Sequence, residues 1–259
     1  MNLLREKIQN KQKIVGTIVS LSDPCICDII STQAYDYVWV DMEHTHISYK
    51  DLLAHLNAAR AANMPAIVRV PQDDLTTTKK VLETGIDGII FPMARTVEEV
   101  KRWIGYTLYP PYGTRGFGPI RAIRYGADDA IEYVEKTSLD ICRFVQIEHI
   151  DFIDVLEEVA KEPYIDGFIL GPNDLSGSMG KLGHVFDQDV AEYIKKAISI
   201  AHKNGKMIGL AGGFDDNTLK YWSQFDIDML TAGSDWNFLY LQAKNTLKRL
   251  QEIFINKKQ

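Results

Sequence analysis

Cysteine is scarce in this chain: Cys25, Cys27 and Cys142 are the only three in 259 residues, an odd number with one C-x-C pair and no second pair at zinc-site spacing. Three reduced thiols of a cytoplasmic protein are the expectation. Long apolar runs are missing too. None approaches the length needed to span a bilayer, and the opening stretch MNLLREKIQNKQKIVG is a short charged amphipathic segment without the apolar centre of a signal peptide. No membrane partner is expected. Lys and Arg are scattered and the net charge is -6, so the chain lacks the basic stripe that a phosphate backbone requires, and nucleic acid is not an expected partner. No Ser/Pro-rich linker, low-complexity tract or repeat divides the chain, which points to one domain over residues 1–259.

What is present is an alternation of short β-rich runs with longer helical patterns. With 46% hydrophobic and 25% charged residues, a sizeable core is available. Strand-like runs fall at 14–21, 35–43, 65–71, 85–93, 141–148, 164–171, 206–211 and 225–232, the eight that a closed (β/α)8 barrel needs. Helical spacing fills 48–62, 97–106, 152–162 and 189–204, mostly opened by Asp, Ser or Thr. An open doubly wound sheet would alternate in the same way, but its G-x-G-x-x-G turn is absent and SLSDPC stands after the first strand. The reading is therefore α/β, a single TIM barrel. One connection, LYPPYGTRGFGPIRAIRYG, is far longer than a usual helix-to-strand loop. It starts on the face opposite a barrel's active mouth, so any role in a site requires it to reach around the rim or to serve a neighbouring subunit.

Catalytic groups of such barrels stand at strand C-termini. There the chain places Asp41, Glu43 and His44 (VDMEH), Arg69 (IVRVP), Gln146 and Glu148 (VQIE), Asn173 and Asp174 (GPND), and Ser234 and Asp235 (TAGSD). Strand alternation puts Cys142, Phe144, Gln146 and Glu148 on one face. Glu148 and Asp174, on consecutive strands, could approach closely, and two close carboxylates repel unless a proton or a cation intervenes. Such a pair with open positions suits Mg²⁺ or Mn²⁺. The alternative is that Glu148 caps the next helix and GPND is a turn. His44 could be a general base tuned by a neighbouring carboxylate, or structural. Arg69, in an otherwise apolar run, calls for an anionic partner, either substrate or Asp41. GLAGG could hold a phosphate or make a tight barrel turn. No lysine stands at an expected strand C-terminus, since Lys206 opens its run, so a Schiff-base mechanism has no candidate.

In this order and spacing, VDMEH, IVRVP, YPPYGTRG, VQIE and GPNDLSGSMG resemble the HpcH/HpaI aldolase family, of which 4-hydroxy-2-oxoheptanedioate aldolase is the best-known activity. The resemblance runs from about residue 14 to residue 235. It implies a metal-dependent pyruvate aldolase that cleaves a 4-hydroxy-2-oxo acid to pyruvate and an aldehyde, with Mg²⁺, Mn²⁺ or Co²⁺ as the ion. It also implies a homo-oligomer built from dimers, a hexamer being one form. Glu148 and Asp174 match metal ligands, His44 the base, and Arg69 the arginine that stabilises the enolate. Gln146, Asn173 and Asp174 match substrate-contacting positions. An aspartate that supports the histidine in relatives is replaced by Glu83 in KKVLETGIDG, which keeps the charge on a longer arm and lies far from His44 within one subunit of a barrel. Two other readings stand beside this one: an acyl-CoA lyase of the citrate lyase β-subunit type, and a non-catalytic barrel that binds a keto acid.

Overall fold

In the computed structural model, residues 2–71 and 74–255 are described. Eight parallel strands pair in sequence order and close on themselves: β1 (Ile14–Val19), β2 (Tyr37–Asp41), β3 (Ala66–Arg69), β4 (Gly88–Phe91), β5 (Cys142–Ile147), β6 (Gly167–Leu170), β7 (Met207–Gly212) and β8 (Met229–Ser234). The fold is the (β/α)8 barrel that the alternation predicts. Helices begin where their capping residues dictate. Ser48 and Thr96 open Tyr49–Ala61 and Val97–Thr107 with reciprocal capping boxes through Asp51 and Glu99. The helix expected at 152–162 starts earlier, as Ile150–Val159, because His149 caps it by accepting from the Asp151 N–H. β8 starts later than the expected 225, since residues 225–227 complete a turn after helix Asp216–Trp222.

Strand alternation sorts the core. Tyr37, Trp39, Ile67, Cys142, Phe144 and Ile169 fill the barrel, whereas Val38, Val40, Val68, Val145 and Ile147 pack outward with the helices. Leu4, from helix Leu3–Gln9, joins the inner cluster with Ile14, Met207 and Met229 and plugs the N-terminal end, a burial that stabilises by about 2 kcal/mol. Arg5 ties that helix to Asp166 at 2.8 Å, and Lys7 ties it to Asp36.

Those two aspartates belong to a repeated device. Asp36, Asp87, Asp166 and Asp228 each stand just before an even-numbered strand, and each carboxylate accepts a backbone N–H from the preceding odd strand: Val15 at 2.7 Å, Ala66 at 2.9 Å, Arg143 at 2.8 Å and Ile208 at 2.9 Å. The same four aspartates donate their own N–H to the carbonyls of those four residues. Slanted parallel pairing leaves N–H groups unpaired where the strands begin, and these carboxylates satisfy them. The register at the bottom therefore fixes what stands at the top.

Helix Asp235–Leu250 departs from the pattern. It follows β8 without a loop, Asp235 is its one buried residue, and Leu239, Tyr240, Leu247 and Leu250 are each at least 55% exposed. Val15, on the outer face of β1, is 46% exposed. The long connection after Thr107 likewise carries Tyr112, Phe117, Ile120 and Tyr125 into solvent.

Candidate active site

Register places Arg69, the last residue of β3, beside Asp41, the last of β2. The guanidinium forks onto that carboxylate, Nε donating to Oδ1 at 2.9 Å and Nη2 to Oδ2 at 2.7 Å. The structural ion pair left open by the sequence is present, and it uses only part of the arginine. Nη1 stays turned into the site, 2.9 Å from Glu43 Oε2, 3.4 Å from Gln146 Oε1 and 4.0 Å from Glu148 Oε1. The Trp39 ring lies beneath, its centroid 5.2 Å from Cζ. Burial works against the charge of Arg69, but the bonds to Asp41 and the fields of Glu43 and Glu148 outweigh it and raise its pKa.

Glu148 stands one residue beyond β5 and is buried, as is Gln146. It does not cap the following helix, a task that His149 performs. Its Oε1 accepts from Gln146 Nε2 at 2.8 Å, and its Oε2 accepts from the Met93 backbone N–H, also at 2.8 Å. Burial pushes this carboxyl up to about 7; the Met93 N–H and Arg69 pull against that, while Glu43 and Asp174 push further. Glu43 is raised as well, by burial first, with Arg69 opposing. Gly171 passes so close that a Cβ there would lie 2.7 Å from Glu148 Cγ.

Asn173 and Asp174 are exposed in the first turn of helix Pro172–Ser178, directly after β6, so GPND is a helix start. His44 lies in the loop after β2 with its side chain 69% exposed and Nε2 3.6 Å from Glu43 Oε2. Asp41, His44 and Asn173 border a mouth of about 1220 Å³, lined also by Ser20, Gly213 and Trp236. GLAGG forms the end of β7 and its turn, and Gly212 and Gly213 face that mouth.

Glu83 is not brought to His44 in this chain. It ends helix Leu75–Glu83, which runs back toward the opposite end of the barrel, and pairs with the fully buried Arg115 at 2.8 Å. Its other oxygen is buried without a hydrogen-bond partner.

The donor set is consistent with a hard divalent ion. Among the described residues no three His, Cys, Asp or Glu side chains converge as a closed cage. Glu148 and Asp174, whose charges act on one another, would supply two oxygen ligands and leave positions over for the waters or substrate oxygens that Mg²⁺ or Mn²⁺ keeps. Arg69, already paired with Asp41, opposes the upward shift of both Glu43 and Glu148, with His44 also acting on Glu43, and the mutual upward push of these carboxylates is what a further cation would relieve.

A profile of the HpcH/HpaI aldolase/citrate lyase family matches residues 15–215. The chain belongs to that family. A hydroxypyruvate/pyruvate aldolase of Roseovarius nubinhibens is 28% identical over 248 residues, 96% of either chain. A 4-hydroxy-2-oxovalerate aldolase of Novosphingobium aromaticivorans is 34% identical over 197 residues, 76% of this chain and 74% of its own. The crystal structure of an HpcH/HpaI aldolase from Desulfitobacterium hafniense superimposes with a TM-score of 0.90 at 25% identity, covering 98% of each chain. These likenesses support an aldolase, a lyase of carbon–carbon bonds, within the HpcH/HpaI family. Three features of this family member escape strand-end reasoning: the Met93 N–H on Glu148, the close pass of Gly171, and the Trp39 ring under Arg69. Each depends on backbone or apolar groups, whose residue types signal no chemistry.

Proposed function

We propose that the protein is a divalent-metal-dependent aldolase that reversibly cleaves a 4-hydroxy-2-oxo acid to pyruvate and an aldehyde. The observation that carries this reading is the third arm of Arg69, Nη1, which is turned into the site among Glu43, Gln146 and the buried Glu148 while Asp41 holds the other two arms. Glu148 and Asp174 would hold Mg²⁺, Mn²⁺ or Co²⁺, which when bound polarises the keto oxygen of the substrate and offsets the charge that builds there. Arg69 Nη1 donates to the same oxygen or to the substrate carboxylate, stabilising the enolate as it forms. Gln146 holds the Glu148 oxygen that faces Arg69, and Asn173 borders the substrate. In cleavage His44, with Glu43 behind it, takes the proton of the 4-hydroxyl as the bond between C3 and C4 breaks, and the electron pair of that bond enters the enolate. Protonation of the enolate methylene then gives pyruvate.

The uncovered apolar faces of helix Asp235–Leu250 and of the loop after Thr107 support a homo-oligomer built from dimers, since exposed apolar patches of this extent ordinarily meet a partner. Glu83 would support His44 only across such a boundary. An acyl-CoA lyase is less well supported. It needs free cations for the CoA phosphates, and the loop arginines are engaged: Arg115 by Glu83, Arg121 by Asn57 and the Thr84 carbonyl, and Arg124 by Asp128. The test is aldol addition of pyruvate to a panel of short aldehydes, with Mn²⁺ and with a chelator. Formation of a 4-hydroxy-2-oxo acid only with the metal supports the reading; cleavage of a 3-hydroxyacyl-CoA with no aldol product would replace it.

A further inference from the structure

If pyruvate occupies the side of the barrel formed by β3, β5 and β6, the aldehyde must take the rest of the mouth, between β7, β8 and β1. Ser20, Leu21, Phe214, Trp236, Asn237 and Leu241 are among the residues that line that side. They come from three segments with no strand pairing between them at this level. Something must hold them in one arrangement.

Asp235 makes the tie. It is 6% exposed, and one carboxylate oxygen, Oδ2, accepts the backbone N–H of both Ser20 and Leu21, at 2.9 and 2.8 Å. The other oxygen accepts the N–H of Trp236 at 2.8 Å. The preceding residues aim it there. Pairing of β8 with β1 slips between Gly16 and Ile18, and Gly233 sits at φ +72, so the chain turns from strand to helix without a loop. A Cβ on Gly233 would lie 2.6 Å from the Phe238 ring, which in turn meets Phe214 edge-on with centroids 5.4 Å apart. Ser234 Oγ bonds Asn237 Oδ1 at 2.7 Å. The first helical turn is thus fastened to the loops after β7 and β1, while the rest of the helix lies off the barrel.

We propose that Asp235 is a positioning residue for the acceptor aldehyde, locking Ser20 and Leu21 to the first turn of helix Asp235–Leu250 so that this wall of the mouth has one shape. The inference rests on the pyruvate aldolase reading. Its test compares two reactions in the metal-loaded wild type, Asp235→Ala and Asp235→Asn: exchange of pyruvate methyl protons with D₂O, which needs no acceptor, and addition to the aldehyde that the wild type uses best. For Asp235→Ala the KM for the aldehyde rises about tenfold or more, the scale of losing one or two buried hydrogen bonds, while exchange changes by no more than about twofold. Asp235→Asn, which keeps an acceptor oxygen, shows a smaller rise in the same direction, and it carries the comparison alone if the alanine variant fails to fold. An unchanged aldehyde KM, or exchange falling in step with addition, overturns the role of Asp235. Absence of exchange in the wild type would instead remove the aldolase reading beneath it.

Discussion

Arg69 and Asp41 form a two-pronged ion pair with bonds of 2.9 and 2.7 Å, and the pair leaves Nη1 of the arginine aimed toward Glu43, Gln146 and Glu148. The fork sets the plane of the guanidinium. A lysine would keep the charge and lose the orientation. Arg69→Lys is expected to lower kcat by roughly 10²- to 10³-fold with the fold intact, the scale of one lost donor to a developing oxyanion. Asp41→Ala acts on stability instead, because it removes the main partner of a buried cation. A loss of about 3 kcal/mol in urea unfolding is expected.

Glu148 makes the metal-free protein sensitive to pH in a defined direction. Its carboxyl titrates near 7 in the folded chain against an ordinary 4.5, so the fold favours the protonated form. Stability from this group is full below about 4.5 and is lost as the pH rises through 7, by up to about 3 kcal/mol. Denaturant titrations of chelator-treated protein should show that slope, Glu148→Gln should flatten it, and saturating Mn²⁺ should offset it. A rise in stability over the same window would contradict the assignment.

Gly171→Ala tests the packing around the same carboxylate without touching a ligand. The new methyl would sit 2.7 Å from Glu148 Cγ, so the side chain must shift. Mn²⁺ affinity by calorimetry should fall about tenfold or more, as when a ligand loses its support.

His44→Ala should reduce aldol cleavage more than exchange of pyruvate methyl protons, because the histidine is assigned to the 4-hydroxyl and not to the methyl group. Equal losses in the two assays would give His44 another role.

Much of this was legible in the sequence, for identifiable reasons. Runs of β-branched and aromatic residues at regular spacing give the eight strands, and strand alternation puts Phe144, Gln146 and Glu148 on one face, the face that the closed barrel turns inward. The rule that strand C-termini carry chemistry then collects Asp41, Arg69 and Glu148 at one rim. What the sequence hid is backbone and context. β4 runs out through FPM with no ionisable side chain, yet Met93, two residues past the strand, supplies the N–H that holds Glu148. Asp36, Asp87, Asp166 and Asp228 look like turn residues, and only the paired register makes them clamps. Helix Asp235–Leu250 has a good helical pattern, but nothing in that pattern says that its apolar face is left off its own barrel.

The central claim is that these side chains stabilise a pyruvate enolate with a divalent ion. Proton NMR of pyruvate in D₂O tests it directly, with the protein and Mg²⁺ or Mn²⁺ and then with a chelator. The account predicts loss of the methyl signal only when protein and metal are both present, and its return to the background rate with the chelator or in Glu148→Gln. A folded, metal-loaded protein that leaves the methyl protons unexchanged would contradict it.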